Sequence, residues 1–324
     1  MGKRMRPHSL TIPKPLIPVA GKPIVQRLAE DIAKVSKEPL EEIAFVIGDF
    51  GKEVEENLLQ IAKDLNTKGT IHYQKEALGT AHAILCAEDA LKGNVTVAFA
   101  DTLFKTDFEL DVNEDGVIWV HKVEDPTGFG VVKLDDKNYI TDFIEKPTEF
   151  VSDLAIIGIY YFKDGENLRS ELQYLIDNDI KEKGEYQLTN ALENMKEKGL
   201  KLAPGKVDEW LDCGNKDATV YTNQRVLALS EGEELIAKSS SIKNSIILEP
   251  CYIGKNTVIE NSVVGPYISL GENSKIENSV IRNSIIQKHS VLKNKVISNS
   301  MIGNNVVLTS NSENLSIGDF STQE

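Results

Sequence analysis

The chain begins MGKRMRPHSLTIPKPLIPVAGKPIVQR, from Met1 to Arg27. This stretch holds six lysines and arginines and no aspartate or glutamate, although the whole chain has a formal net charge of -14. A cationic segment in so acidic a protein indicates a place where anions bind. Its five prolines exclude a helix through most of its length. We therefore predict a stiff, extended segment that is fixed and partly buried; the alternative is a solvated basic arm.

Length and composition limit the class of protein. A chain of 324 residues is long enough for two domains, each with its own core. The acidic balance argues against general binding of nucleic acid or anionic membranes. Cys86, Cys213 and Cys251 are few and far apart, which predicts a reducing compartment without a disulfide framework. No apolar run approaches 18 residues and no signal peptide is apparent, so we expect a cytoplasmic protein without membrane spans.

The first part of the chain alternates helices with strands. Up to about residue 100, apolar residues with a helical period alternate with short apolar strands, which predicts βαβ units and a mostly parallel sheet. The pattern then predicts four strands at 117–123, 129–134, 139–145 and 154–162, followed by two helices at 166–182 and 187–198. A strand at 201–207 and a helix at 216–230 complete this part of the chain.

The rhythm changes after about residue 236. Aliphatic residues then recur every five or six positions, and Asn-Ser pairs begin at residues 244, 261 and 278. This period predicts a parallel β-helix, in which each short strand turns one aliphatic side chain inward and stacked coils bury a continuous column. About five coils fit between residues 236 and 318. An antiparallel sandwich would need aromatic residues and hairpin turns. We therefore divide the chain into domains at 1–235 and 236–324.

Some polar residues are poorly explained by packing alone. Asp101 ends the apolar strand VTVAFA, where open α/β sheets bind ligands, although a turn cap is an alternative. Gly79 and Thr80 stand at a strand-to-helix junction, where Thr80 could instead be the helix N-cap. Asp212 is a further candidate site residue, and its alternative role is that of a helix cap.

The N-terminal stretch resembles the signature of the sugar-1-phosphate nucleotidylyltransferases. The matching residues are Gly2, Arg4, Pro7, Pro13-Lys14-Pro15 and Lys22-Pro23. The subgroup most similar to this chain is the long form of glucose-1-phosphate thymidylyltransferase, with a C-terminal left-handed hexapeptide β-helix. The resemblance implies a Rossmann-like mixed α/β sheet before that β-helix. The family's first strand and first glycine precede Met1, so we expect an upstream start and a gap between the strands at 42–47 and 95–100.

The resemblance also implies roles for individual residues. Arg4 and Lys14 would be catalytic, and Mg²⁺ would bind Asp101 and Asp212. The residues implied in nucleotide binding are Gly2, Lys3, Gln74, Gly79 and Thr80. The residues implied in sugar-phosphate binding are Gly130, Glu145, Lys146 and Gly158.

The expected reaction is nucleotidylyl transfer from dTTP or UTP to a sugar 1-phosphate, with glucose 1-phosphate as the first choice. The expected partners are these two substrates and further copies of the same chain. Two alternatives remain open. One is a degenerate regulator that binds a sugar nucleotide without turnover. The other is a bifunctional enzyme with an acyltransferase β-helix, for which His289 is the only histidine after residue 236.

Overall fold

The computed structural model describes residues 3–36, 39–107, 110–230 and 232–311. The chain forms two compact units, which differ from the sequence-based division at residue 235. The central unit runs from Ile24 to Asp212. The terminal unit joins the residues up to Pro23 with those from Cys213 onward. The division into domains at residue 235 remains a prediction.

Six helices and twelve short strands precede the β-helix in the described residues. The helices are α1 Ile24–Val35, α2 Lys52–Asp64, α3 Thr80–Leu85, α4 Gly165–Asp177, α5 Leu188–Glu197 and α6 Lys216–Leu229. The strands are β1 Pro18–Val19, β2 Lys22–Pro23, β3 Glu42–Ile47, β4 Lys68–Tyr73, β5 Val95–Ala98, β6 Thr102–Lys105, β7 Gly116–Lys122, β8 Gly130–Leu134, β9 Ile140–Glu145, β10 Leu154–Phe162, β11 Leu202–Lys206 and β12 Glu209–Asp212. Single 3-10 turns lie at Lys3–Met5, Lys14–Leu16 and Glu88–Ala90.

The central unit contains a mixed sheet. Strands β3 and β4 pair in parallel around α2, which confirms one βαβ unit. The larger sheet has the order β11-β7-β10-β8-β9, with β5 also paired to β10. Only β11 and β7 are parallel in this sheet, so the expectation of a mostly parallel sheet is wrong here. Among the described strands, β3 and β5 belong to different sheets.

Helices α4 and α5 cover this sheet with a continuous apolar core. Ile118 and Phe162 of the sheet are buried in this core, as are Leu168 and Leu172 of α4 and Leu188 of α5. Each such side chain contributes about 1.5–3 kcal/mol when it leaves water. The helical period of the sequence therefore predicted the presence of both helices, because it indicates which side of each helix enters this core.

Two helix ends differ from the prediction. The apolar pattern predicts a helix from about Thr80 to Leu91, but this helix stops at Leu85 and a separate 3-10 turn follows. Helix α4 ends at Asp177 instead of residue 182. Asp179 has a φ of +50°, and the N–H of Ile180 returns to the carbonyl of Leu175 at 2.8 Å. This left-handed closure terminates the helix. The sequence did not predict it because Asp179 takes the place where a glycine is usual.

The terminal unit contains the predicted parallel β-helix. Its strands are β13 Ser241–Lys243, β14 Ile246–Ile247, β15 Cys251–Ile253, β16 Val258–Glu260, β17 Val263–Val264, β18 Ile268–Leu270, β19 Lys275–Glu277, β20 Val280–Arg282, β21 Ser284–Ile286, β22 Val291–Lys293, β23 Val296–Ser298, β24 Met301–Ile302 and β25 Val307–Thr309. They stack in three parallel sheets, which make about four coils. The remainder of the range predicted for a fifth coil falls largely outside the described residues.

The repeated asparagines form the corners of the β-helix. Asn244, Asn261 and Asn278 have φ values of +47°, +50° and +47°. Asparagine tolerates this left-handed conformation better than most residues. The asparagine side chains also connect successive coils by hydrogen bonds, since Nδ2 of Asn244 donates to Oδ1 of Asn261 at 2.7 Å. The repeat in the sequence therefore follows from the corner geometry.

No helix among the described residues has the length and apolar character that a membrane span requires.

Candidate active site

The cationic segment is fixed by its apolar residues and exposes some of its charges. Met5, Ile17 and Val19 are fully buried. Arg4 is exposed within the first 3-10 turn, and Lys14 is half-buried at the start of the second. This confirms an ordered, partly buried segment and not a solvated arm. Gly2 lies outside the described residues, and of Lys3 only the backbone, in the first turn, is described.

The segment ends in a two-residue hairpin between β1 and β2. Val19 pairs with Lys22, and the two residues of the turn, Ala20 and Gly21, have φ values of +45° and +81°. Two consecutive left-handed residues are typical of the type I′ turn that joins antiparallel strands. The hairpin thus leads the chain from the 3-10 turn of Lys14 to the exposed Lys22.

In the central unit, Gln74 and Gly79 belong to one connected loop. Nε2 of Gln74 donates to the carbonyl of Gly79 at 3.0 Å and lies 3.1 Å from Nδ1 of His82. Gly79 has a φ of +117°, and a Cβ there would lie 2.4 Å from the carbonyl oxygen of Tyr186. Only glycine fits this approach. The side chain predicted to bind the base therefore also holds the loop that precedes α3.

Thr80 has a different role from the predicted helix cap. The N-cap of its own helix α3 is Gly79, which makes no side-chain cap hydrogen bond. Oγ1 of Thr80 instead accepts a hydrogen bond from the N–H of Leu188 at 2.9 Å. Leu188 is the first residue of α5, whose first N–H groups lack partners inside the helix. Thr80 thus caps a helix that is remote in the sequence.

The two predicted metal ligands come close to each other through strand pairing. Asp101 directly precedes β6, and Asp212 ends β12. These strands are antiparallel, and Asp212 lies opposite Thr102, the neighbour of Asp101. Nε1 of Trp210 donates to Oγ1 of Thr102 at 2.5 Å, which fixes the pair of strands. Strand pairing therefore places two aspartates from distant parts of the chain at neighbouring backbone positions.

The alternative role of Asp212 as a helix cap is not supported. The cap of α6 is Asn215, whose side chain accepts from the N–H of Ala218 at 3.0 Å, so Asp212 is not the cap. Within the described ranges, no group of three or more His, Cys, Asp or Glu residues could hold a metal ion. Mg²⁺ is commonly held by one or two carboxylates together with substrate phosphates and water. Asp101 and Asp212 fit that kind of site.

The predicted sugar-phosphate residues meet at the ends of β8 and β9. Gly130 pairs with Glu145 across the two strands, and a Cβ on Gly130 would lie 3.0 Å from Oε2 of Glu145. Nζ of Lys146 is 3.2 Å from Oε1 of Glu145. Burial raises the pKa of the Tyr160 hydroxyl, and the negative charge of Glu145 raises it further. The Tyr160 side chain therefore stays neutral. Three of the four predicted residues thus lie together.

Gly158 connects this group with the aspartates. It has a φ of +86° and lies where the pairing of β10 with β7 shifts register. Its carbonyl accepts from the N–H of Phe99 at 2.9 Å, and the N–H of Asp101 donates to the carbonyl of Phe99 at 2.8 Å. The bulge of β10 is therefore bonded to the turn that leads to Asp101.

Two residues near this group were not assigned roles from the sequence. Cγ2 of Thr189 approaches within 4.0 Å of a Cβ built on Gly130. Oγ1 of Thr189 is buried and has no hydrogen-bond partner in the described part of the chain. The ring of Trp210 packs edge-on against Phe129, with centroids 4.9 Å apart.

Comparison with known proteins identifies the family. The nucleotidyl transferase family matches residues 1–228, and the chain belongs to this family. It is 30% identical over 317 residues to the low-salt glycan biosynthesis nucleotidyltransferase Agl11 of Haloferax volcanii, covering 88% of this chain and 84% of the relative. It is 29% identical over 309 residues to a glucose-1-phosphate thymidylyltransferase of Streptomyces antibioticus, with the same coverage of 88% and 84%.

The fold is similar to a solved structure of UDP-glucose pyrophosphorylase in complex with UDP-glucose. The TM-score is 0.59 at 22% identity, and the match covers 70% of this chain and 95% of the other. The resemblance stated from the sequence is therefore confirmed at the level of family and fold.

Proposed function

We propose that this protein transfers a nucleotidyl group from a pyrimidine nucleoside triphosphate, dTTP or UTP, to a sugar 1-phosphate. An oxygen of the sugar 1-phosphate attacks the α-phosphorus of the triphosphate. The bond from the α-phosphorus to the bridging oxygen breaks, and pyrophosphate leaves with the electron pair. The product is a nucleotide sugar. Glucose 1-phosphate is our first choice of acceptor, and the cytoplasm is our predicted location.

The observation that carries this proposal is the pairing of β6 with β12, which sets Asp212 opposite Thr102 beside Asp101. Two aspartates at neighbouring positions could hold a Mg²⁺ ion together with substrate phosphates. Such an ion would neutralise part of the charge on the triphosphate. We therefore assign Asp101 and Asp212 to the metal.

The remaining roles follow from charge. The reaction joins two polyanions, so catalysis depends on positioning and electrostatic stabilisation and needs no protein nucleophile. We assign Arg4 to the departing pyrophosphate and Lys14 to the α-phosphate in the transition state. Lys146 holds the phosphate of the acceptor, and Glu145 accepts hydrogen bonds from the sugar hydroxyls.

The base is assigned to the loop of Gln74 and Gly79. An amide side chain offers both a donor and an acceptor, as the edge of a pyrimidine requires. The bond from Gln74 to the carbonyl of Gly79 supports this assignment, because it holds the amide at the start of α3. We extend the assignment to Gly2, Lys3 and Thr80 for the nucleotide, and to Gly130 and Gly158 for the sugar phosphate.

The test is pyrophosphate release with every combination of dTTP, UTP, ATP and GTP with several sugar 1-phosphates, in the presence of Mg²⁺. We expect the highest kcat/KM with a pyrimidine triphosphate. Faster turnover with ATP or GTP would contradict the base assignment. Binding of a nucleotide sugar without turnover of any pair would favour the regulator instead.

A further inference from the structure

A buried asparagine of the terminal unit joins three segments. Asn223 lies in the middle of α6 and has no exposed surface. Its Oδ1 accepts hydrogen bonds from the N–H of Ala20 at 2.9 Å and from Oγ of Ser269 at 2.6 Å. Its Nδ2 donates to the carbonyl of Tyr267 at 3.4 Å. One side chain thus bonds both the hairpin turn of the cationic segment and the second coil of the β-helix.

The turn needs this acceptor. Ala20 is 3% exposed, and a buried backbone N–H is strongly disfavoured unless it is hydrogen-bonded. Ala20 also adopts a φ of +45°, which is unfavourable for a residue with a Cβ. The conformation persists only where its surroundings hold it. Asn223 supplies the acceptor for the N–H, and Ser269 of β18 in turn donates to the same oxygen.

The first coil of the β-helix contacts the same turn. A Cβ on Gly21 would lie 2.2 Å from both Cε2 and Cζ of Tyr252, a residue of β15. The aromatic ring therefore lies against the backbone of the turn, and a Cβ at Gly21 would force the ring to move. Two successive coils, through Tyr252 and Ser269, thus fix the turn from the β-helix side.

The turn is mechanically linked to Lys14. Ile17 and Val19 are fully buried, and the prolines at 15 and 18 restrict the backbone between Lys14 and the turn. The N–H of Ile17 also returns to the carbonyl of Lys14 at 3.1 Å. A shift of the turn would therefore be transmitted along a stiff segment to the lysine.

We propose that Asn223 is a positioning residue for nucleotidyl transfer, and that the β-helix holds the cationic segment in its reactive shape through Ser269 and Tyr252. This inference rests on the proposed function, in which Lys14 stabilises the α-phosphate. It gives the β-helix a part in turnover in addition to any part in assembly. None of these three residues touches the reacting phosphates in this account; they act through the segment.

The test replaces Ser269 by alanine in the full chain, with Ser279→Ala as the matched control. Both serines lie in the β-helix and are 3% exposed. The hydroxyl of Ser279 donates to the carbonyl of Glu277 at 2.7 Å and accepts from the N–H of Lys295 at 3.0 Å, both within the β-helix. The two substitutions therefore remove the same group from similar surroundings, but only one of them touches Asn223. Asn223→Ala serves as the stronger variant.

Two measurements are made on each protein. Amide hydrogen exchange of residues 14–23 reports whether the segment is held, and it does not depend on activity. Steady-state kinetics with the best substrate pair reports kcat and both KM values. We expect Ser269→Ala to exchange about tenfold faster in the segment. We expect its kcat to fall roughly tenfold to a hundredfold, because small misplacements of a catalytic group are that costly, while the KM for the sugar 1-phosphate stays the same.

The outcomes separate the two proposals. Equal exchange in the two serine variants overturns the idea that the β-helix holds the segment. Faster exchange in Ser269→Ala with an unchanged kcat overturns the positioning role. Absence of turnover in the wild-type protein with every substrate pair overturns the proposed function instead, and the exchange comparison still decides whether the β-helix holds the segment.

Discussion

The substitution Lys146→Gln should weaken the use of the sugar 1-phosphate while leaving the fold intact. Nζ of Lys146 lies 3.2 Å from Oε1 of Glu145, but 57% of the lysine side chain is exposed. Solvent therefore screens this ion pair, and such pairs contribute only about 0–1 kcal/mol to the free energy of unfolding. A loss of about 1 kcal/mol lowers the Tm of a domain of this size by about 2–4 °C. We expect a change no larger than that.

The expected effect on the reaction is larger. A hydrogen bond to a charged group is worth about 1.5–3 kcal/mol, and each 1.4 kcal/mol is a factor of about ten. Loss of the lysine contact with the acceptor phosphate should therefore lower kcat/KM for the sugar 1-phosphate by about tenfold to 150-fold. The KM for the triphosphate should not change. Pyrophosphate release and thermal unfolding give the two measurements.

Lys183→Gln is the matched control. Nζ of Lys183 donates to the backbone carbonyl of Glu145 at 3.3 Å, and this lysine is exposed. The substitution removes a lysine from the same neighbourhood, but this lysine has no proposed contact with substrate. An equal loss of kcat/KM in both variants would show that only the general charge matters. A large fall in Tm for Lys146→Gln, with unchanged kinetics, would refute the reasoning.

Three further predictions address the metal, the pH dependence and the β-helix. Asp101→Asn and Asp212→Asn should each reduce Mg²⁺-dependent pyrophosphate release by roughly 10²–10³-fold, and near-normal turnover in both would refute the metal assignment. Burial, and then Lys216, hold the pKa of His8 below its ordinary value of 6.5, so protonation favours the unfolded chain and stability falls as the pH drops below about 6.5. His8→Gln should remove that part of the decline, as measured by urea unfolding at about pH 5 and about pH 7.5; an identical decline would contradict it. The full chain should not transfer acetyl groups from coenzyme A, because His289 is exposed at a coil corner; acetyl transfer that is lost in His289→Ala would show the bifunctional alternative.

The sequence alone determined the features that depend on local burial. The five- to six-residue period from Ile236 onward predicted a parallel β-helix, because each short strand must turn an aliphatic residue into the column. Ile259, Ile276 and Leu292 are indeed fully buried in that column. The amphipathic patterns likewise predicted α4 and α5. A hydrophobic period indicates which face of an element is buried. It does so whatever other element packs against that face.

Strand pairing and the contacts between segments were decided only by the tertiary structure. The alternation of helices and strands suggested a mostly parallel sheet, whereas β5 pairs antiparallel with β10. No local pattern indicates that Asp212 lies opposite Thr102, or that Thr80 caps a helix more than a hundred residues away. Asn223 was equally hidden, since a polar residue on a helix gives no sign of its distant partners. These features depend on contacts between residues far apart in the chain, which form only when separate elements pack together.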